Sequence, residues 1–173
     1  MIHEKWFISD THFGHSNMLK FKRDDGTPVR DFKDTFEMDE TMVQNWNSVV
    51  KDNDYVYHLG DVTFRYDGYF NNIMSRLKGK KRMLVGNHDK LQNPNLFRWF
   101  EKVEYWKGFP KENFTITHVP HIIDKIRDGE FNVHGHTHQT NEPDPRHINV
   151  CVEVRDYTPV HMDTILEEIK QRS

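Results

Sequence analysis

Apolar residues along this chain fall in short runs of about four or five, separated by longer stretches where they recur every third or fourth position. Short runs rich in β-branched and aromatic residues read as strands, and the longer period reads as amphipathic helix. The runs predict strands over 5–9, 55–59, 82–85, 101–106, 113–117, 131–134, 147–154 and 158–161. Met38, Met42, Val43, Trp46, Val49 and Val50 share one face of a helix over 38–50. Phe70, Ile73, Met74 and Leu77 do the same over 68–77. Shorter helices are expected over 16–21 and 96–100, and a closing helix over 163–170 with Asp163 as its N-cap. Strands alternating with helices predict an α/β fold.

The polar positions are less evenly spread. Residues 22–34, with Asp24-Asp25-Gly26-Thr27-Pro28, form a charged, turn-rich loop, and Lys78-Gly79-Lys80-Lys81-Arg82 reads as a solvated basic turn. Elsewhere, chemistry-bearing residues stand just past the ends of predicted strands: Asp10 and His12, Asp61, Asn87 and His88, His118, and His136 with His138. Ligands of open α/β sheets bind beyond the carboxyl ends of the strands. Five such placements are hard to assign to solvated turns.

Length predicts one domain over 1–173, too short for a large additional cap. The net charge of −3 and a pI near 6.4 give no global attraction to nucleic acid or to anionic membranes, so stable nucleic-acid binding is not expected. One cysteine, Cys151, excludes an intrachain disulfide, and no signal-like or bilayer-length apolar run is present. A cytoplasmic location without membrane association is the expectation. Twelve histidines raise the prior for metal.

Val133-His134-Gly135-His136-Thr137-His138 concentrates that signal. In an extended chain, residues two apart point to the same side, so the three histidines are expected to converge. Neutral imidazole is the commonest metal ligand, and Gly135 permits close backbone approach. Asp10 and His12, also two apart, can chelate one ion, although Asp10 alone would equally serve as a helix cap or turn residue. Mixed imidazole, carboxylate and amide ligands suit first-row divalent ions better than an all-oxygen magnesium or calcium cage.

In this order, Asp10-x-His12, Gly60-Asp61, Gly86-Asn87-His88-Asp89, His118 and Gly135-His136-Thr137-His138 resemble the calcineurin-like metallophosphoesterase superfamily. Ser9-Asp10-Thr11-His12-Phe13-Gly14-His15, Tyr57-His58-Leu59-Gly60-Asp61 and the tail over 149–160 are similar to its small bacterial and phage phosphoesterases. The resemblance implies a four-layer αββα sandwich. It implies two divalent transition-metal ions, manganese first, with iron, zinc, nickel or cobalt as alternatives. One would be held by Asp10, His12, Asp61 and His138, and the other by Asp61, Asn87, His118 and His136, so that Asp61 bridges.

Metal coordination lowers the pKa of water toward about 7, which supplies hydroxide for in-line attack on phosphorus. By the same resemblance His88 is the candidate general acid, beside the alternative that it only orients bound phosphate. Asp89 is expected to orient neighbours and His58 to be a hydrogen-bonded core histidine. His15 and His134 stay open, and His3, His121, His147 and His161 receive no role. Phosphoprotein phosphatases of this superfamily continue Gly-Asp-x-x-Asp-Arg-Gly. Here Phe64 replaces the acid that supports the histidine, and Arg65 falls where a phosphate-clamping arginine would.

The expected function is therefore metal-dependent hydrolysis of a phosphodiester or phosphomonoester in a small phosphorylated substrate, with a nucleotide among the candidates. Specificity would come from loops 22–34, 65–69, 121–128 and 139–146. A metal-dependent nuclease is the alternative within hydrolases, opposed by the acidic pI; a non-catalytic scaffold on the same fold is opposed by the complete ligand set. Oligomeric state is left open.

Overall fold

The computed structural model describes residues 3–122, 124 and 126–173. Among the described residues nine strands form two sheets: β1 (Lys5–Ile8), β2 (Tyr55–His58), β3 (Lys80–Leu84), β4 (Lys102–Glu104), β5 (Trp106–Phe109), β6 (Phe114–Thr117), β7 (Phe131–His134), β8 (His147–Asn149) and β9 (Val160–His161). The first sheet runs β4-β3-β2-β1-β9 and the second β5-β6-β7-β8. β1 to β4 are parallel, as are β6 to β8, while β9 and β5 join the edges antiparallel.

Both faces of the first sheet are apolar, which is why its strands read as unbroken hydrophobic runs. Ile8, Val56 and Met83 face one core, packed by Met38, Met42 and Trp46 of α1 (Thr35–Val49) and by Phe70, Ile73 and Met74 of α2 (Gly68–Arg76). The adjacent residues Phe7, Tyr57 and Leu84 face the second core with Phe114, Ile116, Phe131, Val133 and Ile148 of the other sheet. Ile165 and Ile169 of the last helix complete that core. The two sheets thus lie face to face and are flanked by helices.

The second sheet alternates instead: Thr115, Thr117, Asn132, His134, His147 and Asn149 occupy the face away from the core. Asn132 ties that face together, donating to Thr115 O and Thr117 Oγ1 and accepting from the backbone N–H of His121.

Several element boundaries differ from the periodicity. The strand expected over 101–106 is split at Tyr105, because β4 belongs to the first sheet and β5 to the second. The strand expected over 147–154 stops at Asn149, and Val152–Val154 forms a 3₁₀ turn that brings Glu153 back under the loops. α1 starts three residues early, capped by Asp34, whose side chain accepts from the Glu37 N–H. α3 is a short turn at Pro94–Phe97, and the region over 16–21 is a 3₁₀ turn at Ser16–Leu19. The closing helix α4 (Met162–Arg172) is capped by His161 and not by Asp163, which supplies the N–H that His161 Nδ1 accepts at 3.3 Å. The expected basic turn is mostly strand: Lys81 is buried in β3, which pushes its ammonium down to about 8. The loop over 121–128 includes residues 123 and 125, which lie outside the described residues. No helix among the described residues is long and apolar enough to cross a membrane.

Candidate metal centre

The parallel register places the ends of β1, β2 and β3 side by side, with Ile8 opposite His58 and His58 opposite Met83. In the second sheet Thr117 stands opposite His134, and His134 opposite Asn149. The two sheets meet at these ends, where Ser9 N–H donates to Val150 O and Val152 N–H to Ser9 O. All seven residues predicted as metal ligands therefore arrive at one rim.

Their backbone is unusual. Eight non-glycine residues among those described have positive φ, and five of them are Asp10 (58°), His12 (49°), Asp61 (56°), His136 (70°) and His138 (51°). A left-handed conformation costs such a residue roughly 1–2 kcal/mol, so its clustering needs a local cause. All five lie in the connections that follow β1, β2 and β7. The histidine triplet does not run as one extended strand, and its three rings do not converge. β7 ends at His134, whose ring packs edge-on against His147 at 5.6 Å, with Nδ1 contacting Gly135 O at 2.8 Å. Only His136 and His138 reach the rim, and they diverge to two neighbouring groups of ligands.

In the first group, Asp10 Oδ1 lies 3.7 Å from His12 Nε2 and 3.9 Å from His138 Nε2. Asp10 Oδ1 and both ring nitrogens of His12 are buried without any hydrogen-bond partner. In the second, Asn87 Oδ1 lies 2.9 Å from both His118 Nε2 and His136 Nδ1. His118 Nδ1 must carry the proton, because it faces the Leu59 carbonyl at 2.8 Å, so its Nε2 presents a lone pair to another acceptor oxygen. Asp61 Oδ2 stands between the groups, 3.8 Å from His12 Nε2 and 3.5 Å from His118 Nε2.

First-row ions bind nitrogen and oxygen at about 2.0–2.2 Å, which puts two ligands on one ion about 3.0–3.5 Å apart. The unpartnered buried atoms and the facing lone pairs fit a cation, and the spacings of 2.9–3.9 Å lie within about 0.4 Å of that range.

Surrounding groups fix this arrangement. Asp10 Oδ2 accepts from His136 N–H at 2.8 Å and from Cys151 Sγ at 3.3 Å, leaving Oδ1 for the cluster. Burial pushes the Asp10 carboxyl up, but His12 and the charges of His118 and His138 outweigh it and hold it well below the usual carboxylate range. Burial likewise lowers His12 against the pull of Asp10, which keeps the imidazole neutral as ligation requires. Asp61 Oδ1 accepts from His88 N–H at 2.8 Å. Asp89 accepts from the backbone N–H groups of Asp61, Val62 and Gly86, and burial pushes its carboxyl up to about 6. His58 is buried one layer below: Gly60 N–H donates to its Nδ1, so Nε2–H donates to Thr11 Oγ1 at 2.9 Å, which passes its own proton toward Val62 O.

Close approach requires glycine at two points. A Cβ on Gly135 would lie 2.0 Å from Ser9 Oγ and 2.6 Å from Asp10 Oδ2, and one on Gly86 would lie 2.2 Å from Asp61 Oδ1.

The remaining candidates are placed around this rim. The His88 ring lies 5.9 Å from His12 and 5.0 Å from Phe64 and lines a cavity. His15 stacks on Phe64 at 3.8 Å, and burial with nearby cations pushes it down to about 4. Arg65 points elsewhere, with its guanidinium bound to Asp67 at 2.7 Å and lying 4.6 Å over the Tyr69 ring.

Three supporting residues received no role from the sequence, although Asn149 and Glu153 lie in the tail that carries part of the resemblance. Arg30 is buried and donates to the carbonyls of Asp10 and Thr11 and to Glu153. Glu153 accepts from His138 Nδ1–H. Asn149 donates to Thr137 Oγ1, His138 O and Thr140 O, which pins the loop carrying His136 and His138.

Facing sheets with carboxylates and imidazoles gathered at their carboxyl ends define an α/β protein with candidate metal-ligand groups, among them Asp10, His12 and His138, and Asp10, Asp61 and His118. Residues 5–169 match the family model for calcineurin-like phosphoesterases, and the chain belongs to that family, whose members use divalent metals. It is 33% identical over 175 residues to an uncharacterized protein of Methanocaldococcus jannaschii, covering 96% of this chain and 91% of the relative. It is 27% identical over 165 residues to the gene 66 protein of Mycobacterium phage L5, covering 77% of this chain and 76% of that one. A crystal structure of an Aquifex aeolicus protein of unknown function superposes with a TM-score of 0.75 at 27% identity, covering 96% of this chain and 99% of the other.

Proposed function

We propose that this protein is a dinuclear metal-dependent phosphoesterase that cleaves phosphodiester or phosphomonoester bonds of a small, nucleotide-like substrate. The observation that carries this reading is Asp61 Oδ2, which faces His12 on one side and His118 on the other at 3.8 and 3.5 Å. One ion would be held by Asp10, His12, Asp61 and His138, and a second by Asp61, Asn87, His118 and His136. When bound, such ions supply positive charge for phosphoryl oxygens and lower the pKa of the water they polarise.

The chain's own residues do the rest. Asn87 and His88 stand exposed at the rim, where a phosphoryl group would meet them. His88 holds the proton that the departing oxygen needs, and its backbone N–H on Asp61 fixes its distance from the ligand cluster. Phe64 gives it an aromatic neighbour where related protein phosphatases have an acid, which argues against a phosphoprotein substrate. Arg65, already paired with Asp67, is not assigned to phosphate.

Hydrolysis of bis-p-nitrophenyl phosphate and of p-nitrophenyl phosphate is the test. Chelation should abolish turnover and manganese should restore it, with elemental analysis giving two ions per chain. No metal-restored turnover on either ester would refute the proposal, and one tightly held ion would refute the dinuclear part.

A further inference from the structure

A cavity of about 540 Å³ opens beside the ligand cluster, with His12, His88 and His138 in its lining. That size falls within the range of small-molecule sites, roughly 300–1,000 Å³. The rest of its wall is built differently from the cluster. Met18, Phe21, Val29 and Phe64 supply apolar surface, and Lys22 and Gln139 a polar rim. Phe21 is 51% exposed although large and apolar, and its place at this cavity gives that exposure a use. Phe64 stacks on His15 and lies 5.4 Å from His12 and 5.0 Å from His88, so an aromatic tier runs from the wall to the reacting centre.

A second cavity, of about 640 Å³, is lined by His136, and none of His12, His88 and His138 lines it. A phosphorus atom held at the cluster would thus direct one arm into each cavity. Proton transfer needs hydrogen-bond reach, so the arm on the His88 side is the one that departs.

We propose that the Phe21 and Phe64 cavity is the leaving-group subsite and takes a nucleoside arm, a flat heteroaromatic ring on a sugar hydroxyl. Aromatic faces stack on any base, the Gln139 amide offers both a donor and an acceptor to its edge, and Lys22 offers a cation to its oxygens. A saturated alkyl arm would use none of these. The inference names the substrate arm for the hydrolysis proposed above and rests on that reading. In the step itself a water oxygen forms a bond to phosphorus and the bond from phosphorus to the nucleoside oxygen breaks. The electron pair stays on that oxygen, which takes the proton held by His88; the proton lost by water passes to solvent and His88 is reprotonated from solvent. The nucleoside leaves, and phosphate, free or still esterified to the smaller arm, stays on the His136 side.

The methyl ester of adenosine 5′-monophosphate tests the direction with the manganese-loaded protein. Adenosine and methyl phosphate are the expected products; adenosine 5′-monophosphate and methanol would overturn the assignment. Calorimetry with adenosine alone tests the subsite without turnover. Phe21→Ala, at an exposed position, should keep the wild-type circular dichroism and weaken adenosine binding about tenfold, the scale of one lost base stack. No adenosine binding at millimolar concentration, or equal binding to Phe21→Ala, overturns the subsite even if simple esters are hydrolysed. Phe21-dependent adenosine binding with no metal-restored hydrolysis of any ester would instead retire the hydrolase reading, and with it the leaving-group role.

Discussion

Glu153 accepts the Nδ1–H of His138 at 2.9 Å, and through that bond a residue on the tail of the chain decides which nitrogen of a rim histidine faces Asp10. The same Glu153 oxygen takes Nε and Nη2 of Arg30 at 2.8 and 2.6 Å, and both side chains are wholly shielded from solvent. Burial raises the Glu153 carboxyl, but the Arg30 charge and the His138 bond hold it below the usual range, so it stays ionised. A carboxylate behind a ligating imidazole fixes its tautomer and raises its basicity. Glu153→Gln should therefore weaken manganese binding about 10- to 100-fold, as read by calorimetry. Glu153→Ala should in addition destabilise the fold by about 3–5 kcal/mol in urea, because Arg30 is left buried without its counter-charge. Unchanged ion affinity in Glu153→Gln would rule out this role.

His88 and Asp61 separate proton delivery from ion binding. His88→Ala should keep its manganese and lose about 10²- to 10⁴-fold in kcat on a p-nitrophenyl ester. Asp61→Asn removes the carboxylate charge shared by both ligand groups and should lose metal by elemental analysis. Loss of metal in His88→Ala would place that residue among the ligands instead.

Gly135→Ala forces a methyl against Ser9 and Asp10, within 2.0 Å of Ser9 Oγ and 2.6 Å of Asp10 Oδ2. Neither neighbour can yield freely, since Ser9 bonds Val150 through its backbone and Asp10 Oδ2 bonds His136. The expected cost is about 1–3 kcal/mol of stability. A displacement of Asp10 of about 1 Å should lower turnover about 10²-fold. An alanine variant with wild-type urea midpoint and turnover would show that the two sheets can separate at this edge.

Asp39 should shape the pH dependence of stability. Its carboxyl is buried under Gly14 and Tyr69, accepting from Gly14 N–H at 2.8 Å and Tyr69 O–H at 2.7 Å, and burial still pushes it up to about 6 from 3.8. The folded state then binds a proton more tightly than the unfolded one. Stability contributed by the protonated form is present below about pH 4 and is lost as pH rises through about 6. Asp89 is pushed up to about 6 in the same way and adds to the slope. In chelated protein, the urea midpoint of Asp39→Asn should fall less than that of wild type between pH 4 and 6. Parallel curves would place the Asp39 carboxyl near its ordinary value.

Spacing alone located most of the strands and the two long amphipathic helices, because each buries one or two faces and the period of burial is written into the residue order. It failed where an element's fate depended on a distant partner. Nothing local marks Tyr105 as the point where the chain leaves one sheet for the other. Likewise the run from His147 looks like continuous strand until the turn that places Glu153 beside Arg30 is seen. The family resemblance rested on five short blocks at strand ends.

The sequence by itself determined which residue types stand at the ends of the strands and therefore which chemistry the rim can perform. Only the tertiary structure decided how those residues divide. It sent His134 to the outer face and His136 and His138 to different partners, and it turned Arg65 toward Asp67. It brought Arg30, Asn149 and Glu153 in behind the ligands. The physical reason is that convergence here comes from left-handed backbone at Asp10, His12, Asp61, His136 and His138, from the two sheets closing at Gly135, and from the ends of β2 and β3 closing at Gly86. Those conformations are held by long-range packing and hydrogen bonds, which no window along the chain contains.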